Sequence, residues 1–443
     1  MNARPLSKLI LWAVALAAPS ASAQPDAVPQ ALLATSAEAT LLRLDDALSR
    51  AARANQDIAT ATERATQAAA RRDRAWASFK PNLRLQGQYV HRDQEVAFGG
   101  RIITRQDDLT ATMSASMQLV DARAIKSIQA SYEALRAARS DAEAVRRAIL
   151  WETARTYWSS AAADMLVAVV RRNVDKATVS LETARVRLDG EVGIPIDVSR
   201  AELVLLQAQR DLLAAENVRD TLLELLRFLT DADTAVRVEA PSRTVVVPAD
   251  ATIAEAAAQR PELVAARARL LASEHLADGA WWSMLPKLSV VFNYQASESA
   301  GIAGDTDSWD IRLVAEWLVY DGGARYADIE ETAAEQRIGA LALDRAEKAL
   351  ARDVRRLALD LKAAIATVAT AERQRDVALE QYGLVHARAD LGEATSLEVS
   401  DADVALFTAE TELVRARLQR DLAAMDLLEA LSVDPLSMSS DRR

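Results

Sequence analysis

An internal duplication restricts this chain more than any other feature, because a chain made of two copies of one unit must fold that unit twice. A constant shift of 205 residues carries Ala47-Leu48 onto Thr252-Ile253, Gln56-Asp57-Ile58 onto Pro261-Glu262-Leu263, and Trp76 onto Trp281. The same shift carries Pro81-Asn82-Leu83 onto Pro286-Lys287-Leu288 and Tyr89 onto Tyr294. Further along it falls to about 200, where Leu119-Val120-Asp121 matches Leu318-Val319-Tyr320-Asp321. Gly190-Glu191 then matches Gly392-Glu393, and Asp197-Val198-Ser199 matches Glu398-Val399-Ser400. The order of the matches never changes.

Each copy predicts the same series of elements. A short helix begins near Asp45 or Asp250, acids suited to an N-cap. A helix of about 25 residues follows, ending at Trp76 and Phe79 or at Trp281-Trp282. Pro81 and Pro286 stop it, since proline lacks the amide hydrogen and disfavours helix in the residue before it. Two strands come next. In the second, Leu109, Ala111, Met113, Ala115, Met117 and Leu119 fall on one face, and Thr110, Thr112, Ser114, Ser116 and Gln118 on the other. Its counterpart sets Trp309, Ile311, Leu313, Ala315, Trp317 and Val319 against Asp310, Arg312 and Glu316. Polar loops at 93–106 and 297–308 join the paired strands, and Asp121 and Asp321-Gly322-Gly323 turn each second strand into a helix.

From about 124 to 189 and from about 324 to 391 there is no proline, which allows about 100 Å of continuous helix in each copy. Apolar residues recur there at helical spacing, among dense Arg, Glu and Asp, in the manner of coiled coils. A short turn (190–195; 392–396) reverses the chain, and a helix of about 34 residues returns. Stacked end to end, the returning helix and the earlier 25-residue helix would run for about 90 Å, close to the length of the long helix beside them.

Composition removes most chemistry. There are no cysteines, so neither disulfides nor thiolate metal sites can form. The net charge of -11 argues against a nucleic-acid partner. His91, His275 and His386 fall at unrelated places in the repeat, and no phosphate loop, nucleophile elbow or HExxH pattern is present. No catalytic residue, metal or cofactor is expected, and the chain does not read as an enzyme. Arg4 and Lys8, the apolar stretch 9–18 and the small residues Ala21-Ser22-Ala23 read as a cleavable secretory signal over 1–23. No later segment is a long uncharged apolar run, so a membrane would have to be crossed by strands.

Four strands cannot close a membrane barrel, and an open sheet edge in lipid leaves amides unpaired. Twelve strands from three chains would close around a water-filled lumen. Leu109, Met113, Trp309 and Ile311 would then face lipid, and Thr112, Ser114, Arg312 and Glu316 water. Trp76, Trp281 and Trp282, at the junction of helix and strand, suit the membrane interface, where an indole keeps its ring in apolar surroundings and its N–H wet. Plugging of the barrel base is the other reading of the same position.

With these residues in place, the chain resembles the TolC-like outer-membrane efflux proteins. The resemblance is carried by the duplicated order of elements and by four local motifs. These are residues 256–263 (AAAQRPEL), Leu285-Pro286-Lys287-Leu288, Tyr320-Asp321-Gly322-Gly323-Ala324-Arg325, and the turn 392–399 (GEATSLEV). It covers residues 41–435. It implies a mainly α fold with a small β part, in which a homotrimer forms a twelve-stranded outer-membrane barrel on a long coiled-coil periplasmic tunnel. It further implies docking to a periplasmic adaptor and an inner-membrane pump, in efflux or type I secretion. In the family, acids just after the last helix turn narrow the tunnel's inner end, and Asp197, Glu398 and Asp401 are the matching positions. First-turn acids also favour a helix N-terminus by themselves. Arg187, Gly190, Arg388 and Gly392 mark the two turns that would face the adaptor. The aromatic and arginine that close the tunnel in some members are replaced here by Ala389 and Ala394. The competing reading is a periplasmic adaptor, which normally has one helical hairpin and not two.

The expected division is a signal peptide (1–23), a polar N-terminal segment (24–40) and a first repeat (41–235). The first repeat has strands at about 82–92 and 107–120 and a hairpin at about 124–230. A linker (236–248) leads to a second repeat (249–435), with strands at about 287–296 and 309–320 and a hairpin at about 324–431, before a tail at 436–443.

Overall fold

The computed structural model describes residues 40–240, 244–247, 253–299 and 305–438. The expected signal segment, nearly all of the polar segment after it, Asp250 and the end of the tail lie outside the described residues.

The first repeat opens with β1 (Thr40–Leu42), α1 (Leu44–Ala54) and α2 (Gln56–Trp76). A 3-10 turn over Ala77–Phe79 and Pro81 then redirects the chain into β2 (Asn82–His91). A small hairpin follows, β3 (Val96–Phe98) and β4 (Arg101–Thr104), inside what reads from sequence as a plain polar loop. Its turn carries Gly99 and Gly100 at φ 60° and 80°, a left-handed conformation that suits a two-residue hairpin loop. Then come β5 (Asp107–Val120), α3 (Ala122–Asp189) and α4 (Pro195–Thr230).

After β6 (Val236–Val238), the second repeat supplies α5 (Ile253–Gln259), α6 (Pro261–Trp282), β7 (Lys287–Ser297), β8 (Asp307–Glu316), α7 (Ala324–Asp390) and α8 (Ser396–Ala430). At 68 and 67 residues, α3 and α7 each extend about 100 Å.

Four strands form one antiparallel sheet in the order β2-β5-β7-β8. Its register gathers the alternating residues into rows that run across all four strands. Leu85, Met113, Tyr294 and Trp309 make one row, and Leu83, Ala115, Phe292 and Ile311 the next on that face. On the other face Arg84, Ser114, Asn293 and Asp310 are in line, as are Gln86, Thr112, Gln295 and Ser308. Asn293 Nδ2 donates to Asp310 Oδ2 at 3.4 Å, and Arg312 pairs with Asp310 at 2.7 Å. In these rows one side of the sheet is apolar and the other hydrogen-bonding across all four strands.

β8 ends at Glu316, short of the strand read over 309–320. The reason is local: Lys287, the first residue of β7, is already opposite Glu316, so among the described residues no strand remains for Trp317 to Tyr320 to pair with. Trp317 Nε1 instead donates to the Met284 carbonyl at 3.1 Å.

The helical part is built along α3. On the side toward the sheet α3 packs against α2 and α6, and on the far side against α4 and α8, while α6 and α8 flank α7. Contacts between α3 and α6 use small residues, with Ala137 against Ala265 and Ala268. A Cβ placed on Gly279 would come within 3.2 Å of the Lys126 Cβ, so the backbones approach closely there. Larger residues seam the hairpins: Val167 and Val170 with Ala215, and Val368 with Leu413.

A belt about halfway along α3 holds the largest core. Leu150, Trp151, Ala154, Tyr157 and Trp158 of α3 meet Ala47, Leu48 and Ala51 of α1, Leu226 of α4, and Met425 and Leu428 of α8. The belt also contains a feature that the sequence reading left as segment and linker: β1 and β6 pair in parallel, Leu41 opposite Arg237. Tyr157 pins this ribbon to α3, its hydroxyl donating to the Glu239 carbonyl at 2.7 Å and lying 3.3 Å from that of Leu42. Burial pushes the Tyr157 phenol up to about 12, so it remains a donor throughout the physiological range.

Candidate functional site

Two regions carry the residues singled out by sequence: the hairpin turns at the far end of the helices, and the junction of helices and sheet. Each turn reverses the chain within a few residues by the same hydrogen bonds. Val192 N donates to the Arg187 carbonyl at 3.0 Å, and Glu393 N donates to that of Arg388 at 2.9 Å. Structural equivalence therefore runs Arg187 to Arg388 and Glu191 to Gly392, one position away from the Gly190-to-Gly392 match read in sequence. The left-handed residue is Glu191 (φ 58°) in one turn and Gly392 (φ 78°) in the other. Gly190 has φ -82° and caps α3, while Gly193 lies so close to Leu188 N that a Cβ would come within 2.9 Å. That close approach was invisible in the spacing.

Asp197, Glu398 and Asp401 all lie in the first two turns of the returning helices. Glu398 is held in a capping box. Its Oε2 accepts from Thr395 N at 2.7 Å and from Thr395 Oγ1 at 3.0 Å, while Thr395 Oγ1 accepts from Glu398 N at 3.2 Å. These hydrogen bonds, the backbone one foremost and with Arg388 Nη1 3.8 Å away, hold its carboxyl below the ordinary carboxylate range. Asp401 is exposed one turn further on, and half-buried Asp197 has Arg200 at 3.9 Å. Arg388 is committed to its own turn, donating to the Glu393 carbonyl at 2.9 Å, whereas the Arg187 side chain is exposed.

Inward from the second turn, about one turn before the end of α7 and two turns into α8, begins a cluster that the sequence did not reveal. His386 Nε2 of α7 is 3.2 Å from Asp403 Oδ1 of α8, and Tyr382 stacks on His386 with ring centroids 4.2 Å apart. Lys176 of α3 sits over the Tyr382 ring at 4.3 Å, and Arg172 of α3 is 3.6 Å from Glu410 of α8. These contacts tie the first hairpin to the second near their tips. Only the helical offset of 17 residues between His386 and Asp403 hinted at the pair, and that offset has meaning only once the turn is known.

At the sheet junction, Trp76 Nε1 donates to Tyr132 OH at 3.1 Å, Lys126 lies over the Trp282 ring at 5.4 Å, and Trp281 is exposed. Asp121 caps α3 by accepting from Ala124 N at 3.0 Å, and Lys287 approaches it to 3.5 Å. Its counterpart Asp321 accepts from Gly323 N and Arg325 N, both at 3.1 Å, while Gly323 itself takes the cap position. Among the described residues no group of acids and histidines could hold a metal ion, and no helix is long and apolar enough to cross a membrane.

The fold has known counterparts. The family described as outer membrane efflux protein matches residues 252–433, which is the second repeat. No curated protein sequence matches the chain. Among solved structures, the Campylobacter jejuni CmeC outer membrane channel superposes with a TM-score of 0.79 at 16% identity, over 88% of this chain and 85% of that one. The outer membrane protein VceC of Vibrio cholerae gives 0.77 at 17% identity over 88% and 96%. A Pseudomonas aeruginosa membrane protein gives 0.79 at 19% identity over 88% and 93%. At such identities the likeness is one of fold. The second repeat thus carries the pattern of the outer membrane efflux protein family, and the same helix–strand–strand–helix–helix unit built twice gives the chain the fold of these outer membrane channels.

Proposed function

We propose that the protein is the outer-membrane exit duct of a tripartite efflux or type I secretion system, acting as a homotrimer without chemistry of its own. One observation carries this reading: the sheet is two-faced and has two unpaired edges, β2 and β8. Leu83, Leu85, Trp309, Ile311 and Leu313 on those edges are 64–78% exposed, which water does not tolerate in so continuous a patch and lipid does. Lipid in turn requires that both edges be paired. The order β2-β5-β7-β8 alternates direction, so β8 of one copy meets β2 of the next antiparallel, and three copies close a barrel of twelve strands. The row of Arg84, Ser114, Asn293 and Asp310 then lines a wet lumen.

The helices would extend about 100 Å from the barrel into the periplasm, where the turns bearing Arg187, Gly190, Arg388 and Gly392 would meet a periplasmic adaptor and, through it, an inner-membrane pump. Three copies would bring Asp197, Glu398 and Asp401 around one axis as an acidic constriction. Trp76, Trp281 and Trp282 would lie at the periplasmic interface, and segment 1–23 would serve export. The duplicated hairpins and the family pattern favour the duct over an adaptor. Purified in detergent, the protein should have the mass of a trimer and should conduct ions across a planar bilayer. A monomer that stays in aqueous solution and does not conduct would end the reading.

A further inference from the structure

The sequences of the two free strands select how one copy joins the next. Within the chain, Arg84 is two residues from the start of β2, yet the row it begins ends at Asp310, six residues before the end of β8 at Glu316. The row thus climbs away from the helical end as it crosses the sheet. A strand tilt of about 35–45° produces such a climb, worth roughly 4–6 residues over four strands at the usual strand spacing and rise. Only an even stagger keeps apolar residues on one side, since a shift by one residue exchanges the faces. Two even values remain. The smaller places Val314 opposite Arg84 of the partner subunit, leaves Glu316 opposite a neutral Asn82, and runs Trp317 onto Pro81, which has no amide hydrogen to donate. The larger places Glu316 opposite Arg84, Trp317 opposite Leu83 and Leu318 opposite Asn82.

We infer that the larger stagger is the native one, so that Glu316 pairs with Arg84 of the partner subunit on the lumen face and Trp317 covers the partner's Leu83 on the lipid face. This rests on the closed-barrel reading above. Among the described residues neither Arg84 nor Glu316 has a side-chain partner, although other charges on the same face, Asp310 and Arg312, are paired. Trp317 to Tyr320 follow β8 in the chain, pair with no strand among the described residues and are 54–79% exposed. The larger stagger supplies a neighbour for the first two of these residues and opposite charges for both unpaired ones. Opposite charges facing each other across an antiparallel pair are favourable, and like charges are not.

A cysteine-free chain makes the test direct. Arg84→Cys with Glu316→Cys should shift on mild oxidation from a monomer band to a covalent trimer, while Arg84→Cys with Val314→Cys should remain monomeric under denaturation. The reverse pattern would overturn this register and leave the trimeric barrel standing. A wild-type protein that is monomeric in detergent would instead remove the barrel reading itself. Charge reversal gives a second measure should the cysteine pairs not assemble. Arg84→Glu alone should lower the trimer's dissociation temperature, and Glu316→Arg added to it should restore that temperature. Failure of the second change to restore it would overturn the pairing.

Discussion

Glu191 holds a left-handed backbone conformation at the first hairpin turn (φ 58°), where the second turn has Gly392 at φ 78°. A residue with a Cβ pays about 1–2 kcal/mol for that conformation, partly offset by the extra freedom that glycine has in the opened chain. Glu191→Gly should therefore stabilise the first turn by about 1 kcal/mol, read as roughly fivefold slower amide exchange at Val192 and Gly193. Unchanged or faster exchange would show that the Glu191 side chain contributes more than its strain costs. Sequence alone aligned Gly190 with Gly392 because identical residues attract each other in an alignment. The hydrogen bonds from Val192 and Glu393 show the offset, since the backbone conformation, not the letter, is what the turn repeats. Glu398 is a similar case. Its position after a turn was legible, but its capping box with Thr395 depends on side-chain geometry.

At the scale of elements, the long helices depend on joints. In the first repeat, the end of α4 meets the start of α2, and one buried side chain serves both. Asn55 Oδ1 accepts from Asp57 N at 2.9 Å, capping α2, and its Nδ2 donates to the Leu229 carbonyl of α4 at 3.3 Å. The helices of 21 and 36 residues are thereby stacked along the 68 of α3. Asn55→Ala removes the cap and leaves a buried carbonyl without its donor, and should cost about 2 kcal/mol in urea unfolding. Asn55→Asp keeps the cap and loses the donor, so it should fall between the two. Equal stability of all three proteins would refute the joint. The length balance behind this stack was readable from proline spacing. The joint was not, because Asn55 and Leu229 are far apart in sequence and no periodicity links them. The belt strands β1 and β6 were missed for the same reason: three residues each are too few to show alternation.

For the whole molecule, the proposed constriction at the hairpin tips makes a separate expectation. In the single chain, hydrogen bonds from Thr395 and the nearby Arg388 hold the Glu398 carboxyl below its ordinary value, which favours the charged form, and three copies would present a ring of negative charge that attracts cations and binds divalent ones. Glu398→Ala with Asp401→Ala should raise single-channel conductance or weaken block by divalent cations in a planar bilayer. Channels unchanged in both respects would take the constriction away from these residues. By itself the sequence determined the duplicated unit, the two faces of the strands and the helix lengths. Periodicity and proline are local properties, written within a few residues of where they act. Tertiary structure alone decided which residues meet across that frame: the belt around Trp151 and Tyr157, the tie between Lys176, Tyr382, His386 and Asp403, and the end of β8 at Glu316. Each of these depends on the distance between parts of the chain far apart in sequence, and only the folded backbone sets that distance.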